Sequence, residues 1–325
     1  MKLQQVSDHC FAVLNETNRV CDANSGLINL GRGVVVDTQS DLAHARQMIE
    51  LFGQVRSRMP GYVVLTHEDI DHVAGNQLFP DAEIIAHSSM LERMRPAADP
   101  TEYQKLLHGI DDPATTAMLE TVHPGVLAVA RQLKQDYSFD GIELALPTTV
   151  FDERYVLDLD GTEVHLIYAG PAHQLGDVIV HVPSEGVVFA GDLLFNESTP
   201  MAWAGSYQQF FDALDVITAL SPGVIVPGHG PVCGIEAVAR EREYFRYVLD
   251  QSRKAFDAGQ SPAEAAADIN LGPYAAWKAP ARLIINVERA YREFRGEPTD
   301  APWNTLAIFD GMYQLAQKSG VAVEF

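Results

Sequence analysis

Cysteine is scarce in this chain: three in 325 residues, at Cys10, Cys21 and Cys233. They lie far apart and form no C-x-x-C pair, so all three are expected as reduced thiols in the core or on the surface. Cations are scarce too, with 23 Lys and Arg against 44 Asp and Glu, a formal net charge of −21. Repulsion on that scale argues against nucleic acid and anionic membrane as partners. A small anion stays open, because a bound metal inverts the local field. No apolar run approaches the roughly 18 residues of a membrane span. The opening residues 1–8 lack the basic-then-apolar order of a secretory leader, so a cytoplasmic location is expected. Lys/Arg runs, low-complexity tracts and internal repeats are all missing.

What is present is an ordinary globular composition, 47% apolar and 21% charged, long enough for one large domain, alone or with an appendage. Strand signals fall at residues 11–14, 24–30, 33–36, 61–66 and 83–87, with a helical spacing at 42–52. Residues 88–134 turn helical and proline-punctuated, an insertion that could roof a pocket. Strands return at 149–151, 155–157, 164–168, 178–181, 187–190 and 224–227, with an amphipathic helix at 207–220 between the last two. Helices at 236–258, 262–269 and 281–294 follow, and strand content recurs only in the last few residues. This order fits two sheets sandwiched between helices.

Four segments concentrate the chemistry. They are Thr66–Asn76, with His67, Asp69, Asp71 and His72; Gly170–Asp177, with His173; Phe189–Phe195, with Asp192; and Val226–Pro231, with His229. Each follows an apolar strand and places His or Asp at its C-terminal end, where rigid strands fix ligands and loops let them converge. A single His or Asp at a strand end is usually a cap, but seven in four ordered segments point to metal binding.

In this order the segments resemble the metal-binding motifs of the metallo-β-lactamase superfamily, over roughly residues 8 to 235. The resemblance implies an αββα four-layer α/β sandwich as catalytic domain (1–235), with the helical insertion at about 88–134 and a helical C-terminal appendage (236–325). It implies two divalent metal ions: His67 and His173 on the first, Asp71, His72 and His229 on the second, Asp192 bridging. The family's usual second histidine is Asp69 here. As a ligand, Asp69 would bias the site from zinc toward iron or manganese; as a bystander, it would leave the first site weak. The flavodiiron branch also carries a carboxylate there, but this chain has no room for that branch's flavodoxin domain.

The resemblance implies a metal-dependent hydrolase in which a metal-activated hydroxide attacks a small ester, lactone, thioester, amide or related substrate, with Asp71 orienting it. A non-haem di-iron oxidase or oxygenase and a metal-bound sensor without turnover are the alternatives. Around the ligands, Asp37 is expected to support the metal loop. Glu68 is expected to be solvated or to back a ligand, and Asp177 to orient His173 or cap its loop. Tyr168, His87 and Asn196 are candidate contacts to ligands or substrate. Trp203, Trp277 and Trp303 are expected to pack rather than bind substrate, although Trp203 follows Asp192 closely enough to line the pocket mouth. His9, His44, His108, His123, His165 and His181 fit no ligand pattern. The apolar face of Leu283, Ile284, Val287 and Tyr291 could pack on the core or form a homodimer contact, and a dimer is expected.

Overall fold

The computed structural model describes residues 1–17 and 19–319. Its N-terminal half runs β1 (Lys2–Gln5), β2 (Cys10–Leu14), β3 (Ser25–Ile28), β4 (Val34–Val36), α1 (Leu42–Gly53), β5 (Tyr62–Val64), α2 (Ile70–Val73) and β6 (Glu83–His87). The insertion comprises the helices α3 (Met90–Ala97), α4 (Pro100–Gly109), α5 (Pro113–Val122) and α6 (Pro124–Asp136), ahead of β7 (Thr149–Phe151). Then come β8 (Arg154–Leu159), β9 (Thr162–Tyr168), β10 (Val178–Val182), β11 (Val187–Phe195), α7 (Tyr207–Ala219) and β12 (Val224–His229). The tail carries α8 (Ile235–Asp257), α9 (Pro262–Asp268), α10 (Leu283–Phe294) and α11 (Thr305–Ser319).

Strands β1 to β7 form a seven-stranded sheet in chain order, and β12-β11-β10-β9-β8 form a five-stranded one. Alternation along each strand divides the apolar side chains between two cores. Val34, Val36, Val64 and Ile85 meet Val178, Val180, Val182 and Phe189 between the sheets. Val35, Val63, Ile179 and Val188 face the other way, into the cluster that holds the helices. This is the four-layer α/β sandwich expected from the sequence.

Three prolines of the insertion start helices, while Pro96 lies within the last turn of α3. Pro100, Pro113 and Pro124 each open a helix, and Asp99 and Asp112 cap two of them by accepting backbone N–H bonds. Two elements escape the sequence reading. Strand β1 is a polar edge strand, and α11 carries Gly311 in mid-helix. The strand expected in the last residues lies outside the described ones.

The C-terminal helices are not peripheral. Asp310 of α11 accepts from Gly125 N (2.9 Å) and pairs with His123 Nδ1 (2.8 Å), capping the start of α6. The insertion and the tail are thereby tied to each other across the molecule. Leu283, Ile284, Val287 and Tyr291 are all buried within the chain's own core. The expected homodimer loses the face it rested on, since that face packs at home.

A second tie anchors the loop before β3. Asp22, fully buried, accepts from Arg19 Nε (3.0 Å), Thr17 Oγ1 (2.6 Å) and Tyr137 Oη (2.7 Å) just beyond α6. Burial favours its neutral form, but the Arg19, Thr17 and Tyr137 donors win and hold its pKa at about 2. A carboxyl depressed in the folded state stabilises the fold above its unfolded pKa, and that stability fades as pH falls through about 2. Asp22→Asn should therefore cost about 2 kcal/mol at neutral pH. In denaturant titrations the difference from wild type should shrink between about pH 4 and pH 2; a pH-independent difference would contradict it.

Candidate metal centre

All four chemistry-bearing segments arrive at one end of the sandwich. Strand β5 runs out through Thr66 into His67, and the single turn α2 turns Asp71 and His72 back beside it. The β9–β10 loop delivers His173, β11 delivers Asp192, and the last residue of β12 is His229. Close approach needs two glycines. Gly191 has φ +54° and packs on Thr66, and a Cβ at Gly228 would collide with Asp192 Oδ1.

The donor atoms converge. His173 Nε2 lies 3.1 Å from Asp69 Oδ2 and 3.4 Å from Asp192 Oδ2, and His67 Nε2 lies 3.6 Å from Asp69 Oδ2. On the other side His229 Nε2 is 3.4 Å from Asp71 Oδ2 and 3.3 Å from Asp192 Oδ2, with His72 Nε2 3.3 Å from Asp192 Oδ1. Two ligands bound at ~2.1 Å and 90–110° sit about 3.0–3.4 Å apart, so these spacings suit shared cations. His67 Nε2, His72 Nε2 and Asp192 Oδ1 are buried with no hydrogen-bond partner. Groups so placed are otherwise costly. Three donor triplets emerge, His67–Asp69–His173, Asp71–His72–His229 and, joining them, His67–His72–Asp192. Asp69 reaches this cluster despite its short side chain, and Gln174 Nε2 steadies it with bonds of 2.9 and 3.1 Å to its two oxygens.

The fold fixes which nitrogen each ring presents. Asp37, buried at the end of β4, accepts from Thr66 N (2.8 Å), Thr66 Oγ1 (2.7 Å) and His72 Nδ1 (2.8 Å). Because the Thr66 hydroxyl donates to Asp37, it accepts from His67 Nδ1 at 3.0 Å. His173 Nδ1 donates to the Met201 carbonyl at 2.7 Å. In all three rings the Nε2 lone pair is left facing the cluster.

Several sequence expectations resolve here. Asp37 supports the metal loop as expected. Glu68 is buried rather than solvated: its oxygens accept from Leu175 N (3.3 Å) and Gly176 N (3.1 Å), latching the first segment to the second. Asp177 caps its own loop through Ala172 N and Gln174 N and leaves the His173 ring to Met201. Tyr168, His87 and Asn196 point elsewhere. His87 stacks on Tyr168 and spends both nitrogens on Ser89 and Asp152, while Asn196 bonds Pro231 and Arg240.

Asp69, Asp71, Asp192 and His229 of the cluster line a cavity of about 500 Å³. Arg93 and Tyr103 come from the insertion, Trp203 from the loop before α7, and Arg282, Trp303 and Phe309 from the tail. Trp203 lines the cavity, as its place soon after Asp192 allows. Trp303, expected only to pack, does both, meeting Trp203 edge-on at 4.9 Å. Apart from Trp203, these wall residues carry no local motif, so only the helical character of the insertion and tail hinted at them.

Burial alone would lower the His173 pKa, but the Asp192 and Asp69 charges overcome it and lift it to about 10. His72 and His229 also move up against burial, His72 through Asp192, Asp37 and Asp71 and His229 through Asp192 and Asp71. Protons and metal cations therefore compete for the same nitrogens. A ring whose pKa lies above neutrality must lose its proton to bind metal, so apparent metal affinity should rise with pH. Competition with a chromophoric chelator at pH 6, 7 and 8 should show up to about a tenfold gain per unit for each proton displaced. Asp37→Ala, which frees the His72 ring, should weaken binding by about 10–100-fold.

Comparison with known proteins agrees with this geometry. The family model described as the metallo-beta-lactamase superfamily matches residues 18–229, a stretch that ends at His229. The linear primary-alkylsulfatase of Pseudomonas sp. (strain ATCC 19151) is 22% identical over 297 residues, covering 82% of this chain and 55% of that protein. Among solved structures, a stereoselective inverting sec-alkylsulfatase from Pseudomonas sp. superposes with TM-score 0.67 at 17% identity, covering 93% of this chain and 51% of that one. A metallo-beta-lactamase family protein from Thermus thermophilus superposes with TM-score 0.62 at 16% identity, covering 90% and 95%. The structural likenesses speak to fold alone, and the chain spans about half the length of the curated relatives it matches. Since the family model runs through all four donor-bearing segments on the matching fold, the chain belongs to the metallo-beta-lactamase superfamily.

Proposed function

We propose that the chain is a metal-dependent hydrolase of a small organic molecule carrying an ester-type bond. The observation that carries this reading is the convergence of His67, Asp69, His173, Asp71, His72, His229 and Asp192 in one cluster, of which Asp69, Asp71, Asp192 and His229 line a largely apolar cavity. His67, Asp69 and His173 would hold one divalent ion, Asp71, His72 and His229 the other, and Asp192 would touch both. Two such ions acidify water and polarise the oxygen of a scissile bond.

The protein's own groups divide the remaining work. Asp71, at the cavity edge of its triplet, is placed to orient a water and hold its proton. Arg282, buried in the wall of the same cavity with its Nη1 donating to Ser198 Oγ and the Thr199 carbonyl, would bring positive charge to an oxyanion head or a departing anionic group. Tyr103, Trp203, Trp303 and Phe309 offer aromatic walls to a carbon skeleton. Walls built from both the insertion and the tail favour a small molecule over a polymer. The likeness to alkylsulfatases makes a sulfate ester the first substrate to try, beside carboxylic esters, lactones and thioesters.

A second reading has one observation in its favour. Asp69 lies within ligand reach of His67 and His173, giving the cluster three carboxylates, a set that suits iron or manganese. A di-iron oxidase would then consume oxygen with an iron-dependent optical change, which a hydrolase would not.

A panel of alkyl sulfates, p-nitrophenyl esters and lactones tests the first reading. Turnover of at least one class should fall by about 10³-fold or more on chelation and return with added metal. Arg282→Gln should raise KM for anionic esters by about 10–100-fold and leave neutral esters within a few-fold. Turnover indifferent to chelation would sink the proposal.

A further inference from the structure

One ring in the cluster is oriented differently from the others. His67, His72 and His173 each have Nδ1 held by a hydrogen bond, to Thr66, Asp37 and Met201 respectively. His229 Nδ1 is buried and has no hydrogen-bond partner. What meets the His229 ring instead is Phe195, stacked on it with centroids 5.1 Å apart and planes only 3° from parallel. Phe195 also meets His173 at 5.6 Å, tilted by 58°. A flat face against one imidazole and a tilted contact with the other is an unequal arrangement, and His229, unlike His173, has no hydrogen bond at Nδ1 to fix its plane.

Phe195 is itself keyed from behind. It ends β11 opposite His229 on β12, past a register shift that begins at Gly191. Its amide donates to Glu241 Oε2 at 2.7 Å, and Glu241, on α8, is 1% exposed. Burying a carboxyl there is costly unless the bond it makes matters to the fold. Here that bond fixes the irregular strand end. The next residue keeps the two strands in step, since Asn196 N donates to the His229 carbonyl at 3.0 Å.

We propose that Phe195 is a positioning residue, which sets the ring plane of His229 by stacking and is held in place by Glu241. It does for His229 what Asp37 does for His72, and Met201 for His173, through hydrogen bonds. The inference rests on the two-ion reading of the cluster.

The test uses metal-binding spectroscopy on the full chain. Apoprotein is titrated with Co²⁺ against a competing chelator, and the stepwise affinities and visible spectrum are compared for wild type, Phe195→Leu, Phe195→Tyr and Glu241→Gln. Phe195→Leu keeps apolar bulk and loses the flat face. It should weaken one of the two binding steps by about 10–100-fold, the range for loss of a group that orients a ligand, and change the spectrum of that step. The other step should stay within about threefold. Phe195→Tyr keeps the stack, and Glu241→Gln keeps an acceptor for the Phe195 amide, so both should bind as wild type does. Should Phe195→Leu not fold, Phe195→Met supplies the same comparison. Unchanged affinities in the Leu or Met variant, or equal loss at both steps, would overturn the role of Phe195. Wild type that takes up no Co²⁺ would instead overturn the two-ion reading beneath it, so the two failures are told apart.

Discussion

Asp192 is a carboxylate buried to 3% exposure amid the rings of His67, His72, His173 and His229. A negative charge withdrawn from water to that degree persists only beside positive charge. The imidazoles of His72, His173 and His229 supply it as protons, or two cations would supply it as metal. His229, His72 and His173 hold Asp192 well below the usual carboxylate range against the opposing effect of burial. Around that constraint the rest of the site is arranged: Asp69 and Asp71 close the two outer triplets, and the backbone makes room through Gly191 and Gly228.

The sandwich satisfies the constraint by putting the donors where two sheets end together. Parallel pairing of β4 with β5 sets Asp37 beside Thr66, so one carboxylate orders both His67 and His72. Parallel pairing of β11 with β12 sets Phe195 opposite His229. The insertion and the tail then close over these strand ends, joined by Asp310 at the start of α6. Precision in the floor comes from strands; shape in the walls comes from helices.

That division also explains what could be read from the sequence. The donors are legible because each lies within a few residues of an apolar strand, and strand ends are local features. Asp37 is legible for the same reason. The reach of Asp69 is not, because it depends on Gln174 from a loop more than a hundred positions away. Glu68 has the composition of a solvated residue, and its burial follows from the loop folded over it. Arg282, Trp303 and Phe309 are invisible as site residues, since only the packing of α10 and α11 brings them to the cavity. The apolar stripe on α10 is plain in the sequence, but its partner is not: the pattern says that a face is covered, not by what.

The most direct test of the account is the metal content of the purified chain and of its Asp192→Ala variant, measured by elemental analysis after reconstitution and desalting. The account predicts close to two ions per chain in wild type and, with the shared carboxylate gone, fewer than one retained in the variant. Wild type that holds no metal under any reconstitution, or a variant that retains two, would contradict it.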